Sequence, residues 1–129
     1  ELEAAEQLIA ARYQENRHHI GAAVRTRSGR VYTAVHLDTY VGRASVCAEA
    51  IAVGQALSAG DREIECIVSV RHPRPRETNR DIHVVSPCGI CREMLADFAP
   101  GCTVIVPDNG GVARVPIEEL LPNKYVRKT

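Results

Sequence analysis

Cys47-Ala48-Glu49, read with Ser86-Pro87-Cys88-Gly89-Ile90-Cys91-Arg92 downstream, restricts what this chain can fold into more than any other stretch. Cys88 and Cys91 are three apart, follow a proline, and precede the apolar-periodic run Met94, Leu95, Phe98, so they fall on the first turn of a helix. There both thiolates can face one cation, and the positive end of the helix dipole favours their ionised form. Cys47 opens a second helix and is the third candidate ligand. Three protein ligands leave one tetrahedral position of a zinc ion for water, which is the catalytic kind of site, with one zinc expected per chain. Glu49 is then the carboxylate beside that water. In mid-helix, residues two apart do not share a face, so Cys47 and Glu49 both reach the metal only if it lies beyond the helix N-terminus.

The blander readings fit less well. A structural zinc site normally closes four protein ligands, and no fourth stands out. A redox Cys-x-x-Cys pair would leave Cys47 and Glu49 without a role. A non-catalytic zinc-binding module has no use for a carboxylate beside an open position. Of the five cysteines, Cys66 and Cys102 remain, each in or beside an expected strand (Glu65 to Val70 and Thr103 to Val106), where a thiol serves as a small buried hydrophobe. No disulfide framework is expected, and a reducing cytoplasm suits the set.

A length of 129 residues with 45% hydrophobic content implies one compact domain, residues 1–129. Sixteen basic and sixteen acidic residues cancel, and only 4% are aromatic, so nothing draws the chain to a nucleic-acid polymer. No run approaches the roughly 18 apolar residues of a membrane span. The acidic, helical start Glu1-Leu2-Glu3-Ala4-Ala5-Glu6 is unlike a signal peptide, and the missing initiator Met suggests that the chain begins inside a longer one.

Glu1 to about Asn16 reads as an amphipathic helix with Leu2, Ala5, Leu8, Ile9 and Tyr13 roughly along one face. Ile20 to Thr26 and Val31 to Leu37, separated by Arg27-Ser28-Gly29-Arg30, form a hairpin. A loop from Val41 to Ser45 leads into the helix from Cys47 to about Ser58. Glu65 to Val70 is a strand, and Ile82 to Val85 leads into the helix from Cys88 to about Phe98. Between them, the polar loop Arg71 to Asp81, with its four arginines, is either a solvated excursion or a rim for an anionic group or a neighbouring subunit. Strands at Val104 to Val106 and Val112 to Val115, then a short helix from Ile117 to Leu121, complete the order. It implies a mixed sheet with helices on its faces, an α/β fold.

The Cys-x-Glu and Pro-Cys-x-x-Cys elements resemble the cytidine deaminase family of zinc deaminases, in the small form with three cysteine ligands. The resemblance runs from about Ile20 to Tyr125. It implies a three-layer α/β/α fold with a mixed five-stranded sheet. It also implies hydrolytic removal of the exocyclic amine of a cytosine-type ring with release of ammonia. Glu49 would take the water's proton, deliver one to the ring nitrogen and help protonate the leaving amine. Arg92 is a candidate hydrogen-bond donor to a cysteine sulfur, offsetting the excess thiolate charge. The family often carries Arg directly after the catalytic Glu, where this chain has Ala50.

The same resemblance supplies the substrate contacts, with Ala48 and Pro87 beside the ligands among them. His18-His19-Ile20-Gly21-Ala22-Ala23 resembles the family's Phe-Pro-Val-Gly-Ala-Ala stretch, so His18 takes the place of a ring that packs near the base. His36-Leu37-Asp38-Thr39 resembles the Asn-Val-Glu-Asn segment whose Asn and Glu hold ribose hydroxyls. The tail through Tyr125 resembles the end of the family's blasticidin S deaminases, and Tyr125 sits where an aromatic residue reaches toward a pocket near a subunit boundary. Cytidine or deoxycytidine is therefore the first expected substrate. The changes at His36 and Asp38 keep open a free base, an aminated triazine or a blasticidin-S-type aminonucleoside. A small aminated heterocycle or nucleoside is the expected partner, with no membrane and a homo-oligomer, a tetramer or possibly a dimer.

Overall fold

The hairpin signal is met first. Ile20–Thr26 (β1) and Val31–Val35 (β2) pair antiparallel, with Gly29 at φ +91° in their connection, a backbone conformation that needs glycine. Before them comes Leu2–Arg12 (α1) and after them Ala48–Ser58 (α2), Ile64–Arg71 (β3), His83–Val85 (β4), Gly89–Phe98 (α3), Thr103–Asp108 (β5), Gly111–Pro116 (β6) and Ile117–Leu120 (α4). This is a computed structural model, and it describes residues 1–128.

The sheet runs β2-β1-β3-β5-β6, with β4 on β3 beside that path. β3 and β5 are parallel, joined through α3, and the other pairs are antiparallel. β5 returns as β6 through Asn109 and Gly110, both at positive φ as a two-residue hairpin turn requires.

Strand alternation divides the buried side chains between two faces. Ala22, Val24, Ile67 and Val104 meet Ala48, Ala52, Val53 and Leu95 on the α2 and α3 side. Ala23, Cys66, Val68, Val70 and Ile105 meet Ala5 and Ile9 of α1 on the other. Three layers result. A Cβ at Gly21 would lie 3.0 Å from Ile9 Cβ and 3.1 Å from the Ala5 carbonyl, so glycine lets α1 lie close on β1. Cys66 and Cys102 are buried, as their positions in and beside strands led one to expect.

Three boundaries differ from the sequence reading, each for a tertiary reason. α1 stops at Arg12, not near Asn16, because Tyr13 leaves the helix to stack on His72, rings 3.9 Å apart, and Asn16 turns the chain at φ +61°. β2 ends at Val35, after which Leu37 bridges Val46 in the loop toward α2. The sheet has six strands, not five: three residues before the metal helix, too short to stand out by alternation, pair with Ser69, Val70 and Arg71.

The polar loop after β3 is tied to itself. Arg71 makes two bonds to the Glu77 carboxylate (2.9 and 2.7 Å), and that carboxylate also accepts the Arg74 N–H at 2.7 Å. The Arg71 side-chain bonds, then the Arg74 amide, hold Glu77 down at about 2.

Candidate active site and metal centre

Both metal helices begin as their sequences require. Cys47 and Cys88 are the residues just outside α2 and α3, each with extended backbone (φ −68°, ψ 145° and φ −69°, ψ 169°). Cys47 therefore stands off the helix, which removes the objection that residues two apart face different ways. Cys91 lies in the first turn of α3, and the helix is entered through the buried Pro87.

The three sulfurs lie within 4.8 Å of one another, with Cys47 and Cys88 Sγ 3.6 Å apart. Tetrahedral zinc–thiolate bonds of about 2.3 Å put sulfurs roughly 3.8 Å apart, so the donor set fits zinc in both softness and spacing. Burial, above all, raises the Cys47 and Cys91 thiols, and the Glu49 charge adds to it. Burial also opposes ionisation of Cys88, but the Cys91 amide and the neighbouring thiols outweigh it and hold Cys88 below its ordinary value. Three ionised sulfurs this close need a cation between them.

Glu49, on the first turn of α2, is only 5% exposed. Burial raises its pKa, against hydrogen bonds from its own amide, from Ser69 and from Cys91. Ser69 was missed in the sequence. Its signal was a single hydroxyl inside the apolar run Cys66-Ile67-Val68-Ser69-Val70, and alternation with Ile67 turns it toward α2.

A cavity of about 270 Å³ opens on this centre, lined by Ile20, His36, Cys47, Ala48, Glu49, Val85, Ser86 and Cys88. Of the expected substrate contacts, His36 and Ala48 are on its wall, and Ile20, Val85 and Ser86 were not foreseen. His18 stands aside, its Nδ1 2.9 Å from the His36 carbonyl. Asp38 lies behind His36, its Oδ2 3.4 Å from Nε2 of His19. Pro87 supports the wall through its carbonyl, which accepts Arg92 Nε at 2.9 Å. Arg92 Nη1 donates to Leu120 O at 3.1 Å, so this guanidinium fastens α4 to the ligand loop rather than bonding a sulfur. Tyr125 is 79% exposed and borders a different hollow with Glu93, Asp97 and Phe98.

Residues 2–106 match the cytidine and deoxycytidylate deaminase zinc-binding region. The chain belongs to that family. The deaminase is 50% identical over 126 residues to the blasticidin-S deaminase of Bacillus cereus, covering 98% of this chain and 90% of the relative. It is 30% identical over 112 residues to a cytidine deaminase of Halalkalibacterium halodurans, covering 85% and 79%. Among solved structures it resembles the cytidine deaminase of Bacillus anthracis (TM-score 0.80, 26% identity, 96% of this chain and 86% of that one). It likewise resembles that of Burkholderia pseudomallei (TM-score 0.76, 26% identity, 95% and 94%). It is a zinc-dependent hydrolytic deaminase, and the cysteine cluster is where this chain can hold the metal.

Proposed function

We propose that this deaminase acts on a cytosine nucleoside whose sugar is not ordinary ribose, of the blasticidin S type, turning the ring amine into a carbonyl and releasing ammonia. The observation that carries the reading is the 50% identity to the Bacillus cereus enzyme across 98% of this chain. The residues beside the cavity agree with it. His36 and Asp38 replace the Asn and Glu that resemblance assigns to ribose hydroxyls, and sites built to hydrogen-bond a hydroxyl discriminate strongly.

Zinc, when bound, supplies the Lewis acidity that makes water a nucleophile at neutral pH. Glu49 takes the proton of the attacking water, delivers one to the ring nitrogen, and later protonates the departing amine. The water oxygen becomes the carbonyl as the carbon–nitrogen bond breaks. Ile20 and Val85 present apolar walls to a flat ring. Cytidine is the second reading, favoured by the 30% identity to the Halalkalibacterium halodurans cytidine deaminase.

Ammonia release from blasticidin S, cytidine and cytosine, side by side with zinc-loaded protein, decides between them. The expected order places blasticidin S first by at least about tenfold in kcat/KM, the scale of one strong specificity contact. Cytidine turned over equally well or better would overturn the non-ribose reading and leave the deaminase intact.

A homo-oligomer, most simply a tetramer, completes the proposal, working in a reducing cytoplasm that suits five free thiols. Tyr40, Ile90, Tyr125 and Val126 are 92%, 80%, 79% and 71% exposed, more large apolar surface than one chain gains from showing to water. In the oligomer, Tyr125 of one copy closes the pocket of another. Light scattering at micromolar concentration should give a multiple of the chain mass; a monomer there would sink this part.

A further inference from the structure

Beside the cavity, His19, His36 and Asp38 bring ring nitrogens and a carboxylate oxygen within 4.8 Å of one another, and of the three only His36 is on the cavity wall. The main chain sets this grouping. The His36 N–H donates to Ile20 O and the Asp38 N–H to Arg17 O, both at 2.9 Å, so the segments 17–20 and 36–38 lie side by side. The His72 N–H donates to His19 O at 2.8 Å and holds the same segment from the loop after β3.

The His19 side chain is 14% exposed. Its ring meets that of His36 edge to face, centroids 4.3 Å apart at 67°. Its Nε2 stands 3.4 Å from Asp38 Oδ2, and neither ring nitrogen has a hydrogen-bond partner among the described residues. Burying an imidazole without such partners is costly, and an aliphatic side chain would fill the space without that cost.

The tautomer of His36 follows from the same neighbour. The main-chain N–H of His19 points at His36 Nδ1, 3.4 Å away, which makes Nδ1 the acceptor and leaves the proton of the neutral ring on Nε2. Burial keeps both imidazoles neutral by lowering their pKa, with Asp38 partly opposing it at His19.

We infer that His19 is a positioning residue for substrate binding: its ring fixes the plane of His36, which presents its remaining N–H donor to the substrate in the cavity. The inference rests on the nucleoside reading of the pocket. An imidazole already packed in its bound orientation loses little freedom when substrate arrives, so the benefit falls on binding rather than on the chemical step. A metal ion shared by the three side chains is the rival occupant. The Arg74 guanidinium, whose charge disfavours the protonated form of both histidines, disfavours a cation there as well.

Steady-state kinetics on whichever nucleoside the wild type turns over tests this, so failure with blasticidin S alone sinks the substrate reading and leaves the His19 test standing. His19→Ala should raise KM about tenfold with kcat within about twofold. His19→Phe keeps a ring and should hold KM within about threefold. In a His36→Ala background, His19→Ala should add nothing, because the contact it serves is gone. If His19→Ala does not fold, His19→Leu takes its place in the same cycle. An unchanged KM, a loss confined to kcat, a phenylalanine variant as poor as the alanine one, or additive effects in the double variant would each overturn the assignment. So would a second metal ion per wild-type chain that His19→Ala removes.

Discussion

Glu49→Gln is expected to leave the deaminase folded and carrying one zinc per chain while turnover falls by about a thousandfold or more. A single positioned acid–base group contributes about 10²–10⁴-fold. Glu49 is asked to move protons in more than one step, which places the loss toward the upper end. The substitution keeps the size of the side chain and its acceptor toward Ser69, so packing at a 5% exposed position is preserved. The expected direction of the stability change is also informative. In the zinc-free protein, burial raises the folded pKa of Glu49 above its unfolded value, so the ionised carboxylate costs stability at neutral pH, above the unfolded pKa. With zinc stripped from both proteins, removing that charge should leave the melting temperature unchanged or higher, the usual exchange of stability for activity at a working site. Ammonia release, zinc analysis and, after chelation, a thermal melt on the same preparation read all three. Activity within tenfold of wild type would remove Glu49 from the proton-transfer role.

The centre was legible in the sequence because its parts are local. A proline before a Cys-x-x-Cys, and a Cys-x-Glu before an alanine-rich run, are both helix starts, and helix starts are written in a few adjacent residues. Ser69 was not picked out, although a lone hydroxyl in an apolar strand was a signal that could have found it. What could not be read depends on contacts between distant segments. Arg92 stands one residue past a ligand, yet its second partner is the Leu120 carbonyl, 28 residues further along the chain. His18 and His19 look equivalent in sequence. Strand alternation does not extend back to them, because β1 begins at Ile20 and the chain before it turns through Asn16. Only the pairing of residues 17–20 with 36–38 shows that His19 is the one against His36.

The sheet converts those separate helix starts into one site. α2 follows the β1–β2 hairpin and α3 follows β4; β1 pairs along the whole of β3 and β4 only with Ser69, Val70 and Arg71, so the Ile20 end of β1 and β4 meet at the same end of β3. Ile20 and Val85 thereby reach the cavity from two strands while Cys47 and Cys88 reach it from the two helices that lie across them. The short β4, invisible by alternation, sets the height at which α3 begins. Its register with Ser69 places the ligand loop beside the residue that bonds Glu49.

Cys88→Ala should lose the zinc, and with it both turnover and a large part of the stability. Cys88 is the ligand to choose because it is exposed, whereas Cys91 is 1% exposed and its truncation would leave a cavity whose cost mixes with that of the metal. With two thiolates left, the ion has no closed side. Structural zinc binding is worth on the order of 10 kcal/mol of folding free energy in small domains. Even a fraction of that, a few kcal/mol, corresponds to about 10 °C or more in melting temperature for a chain of this size. The decisive comparison uses a chelator. Wild type stripped of zinc should melt where Cys88→Ala melts, and the variant itself should not respond to chelation. If wild type and variant still differ by several degrees when both are metal-free, Cys88 supports the fold by some means other than the ion. If the variant retains one zinc per chain, the three-cysteine ligand set is wrong.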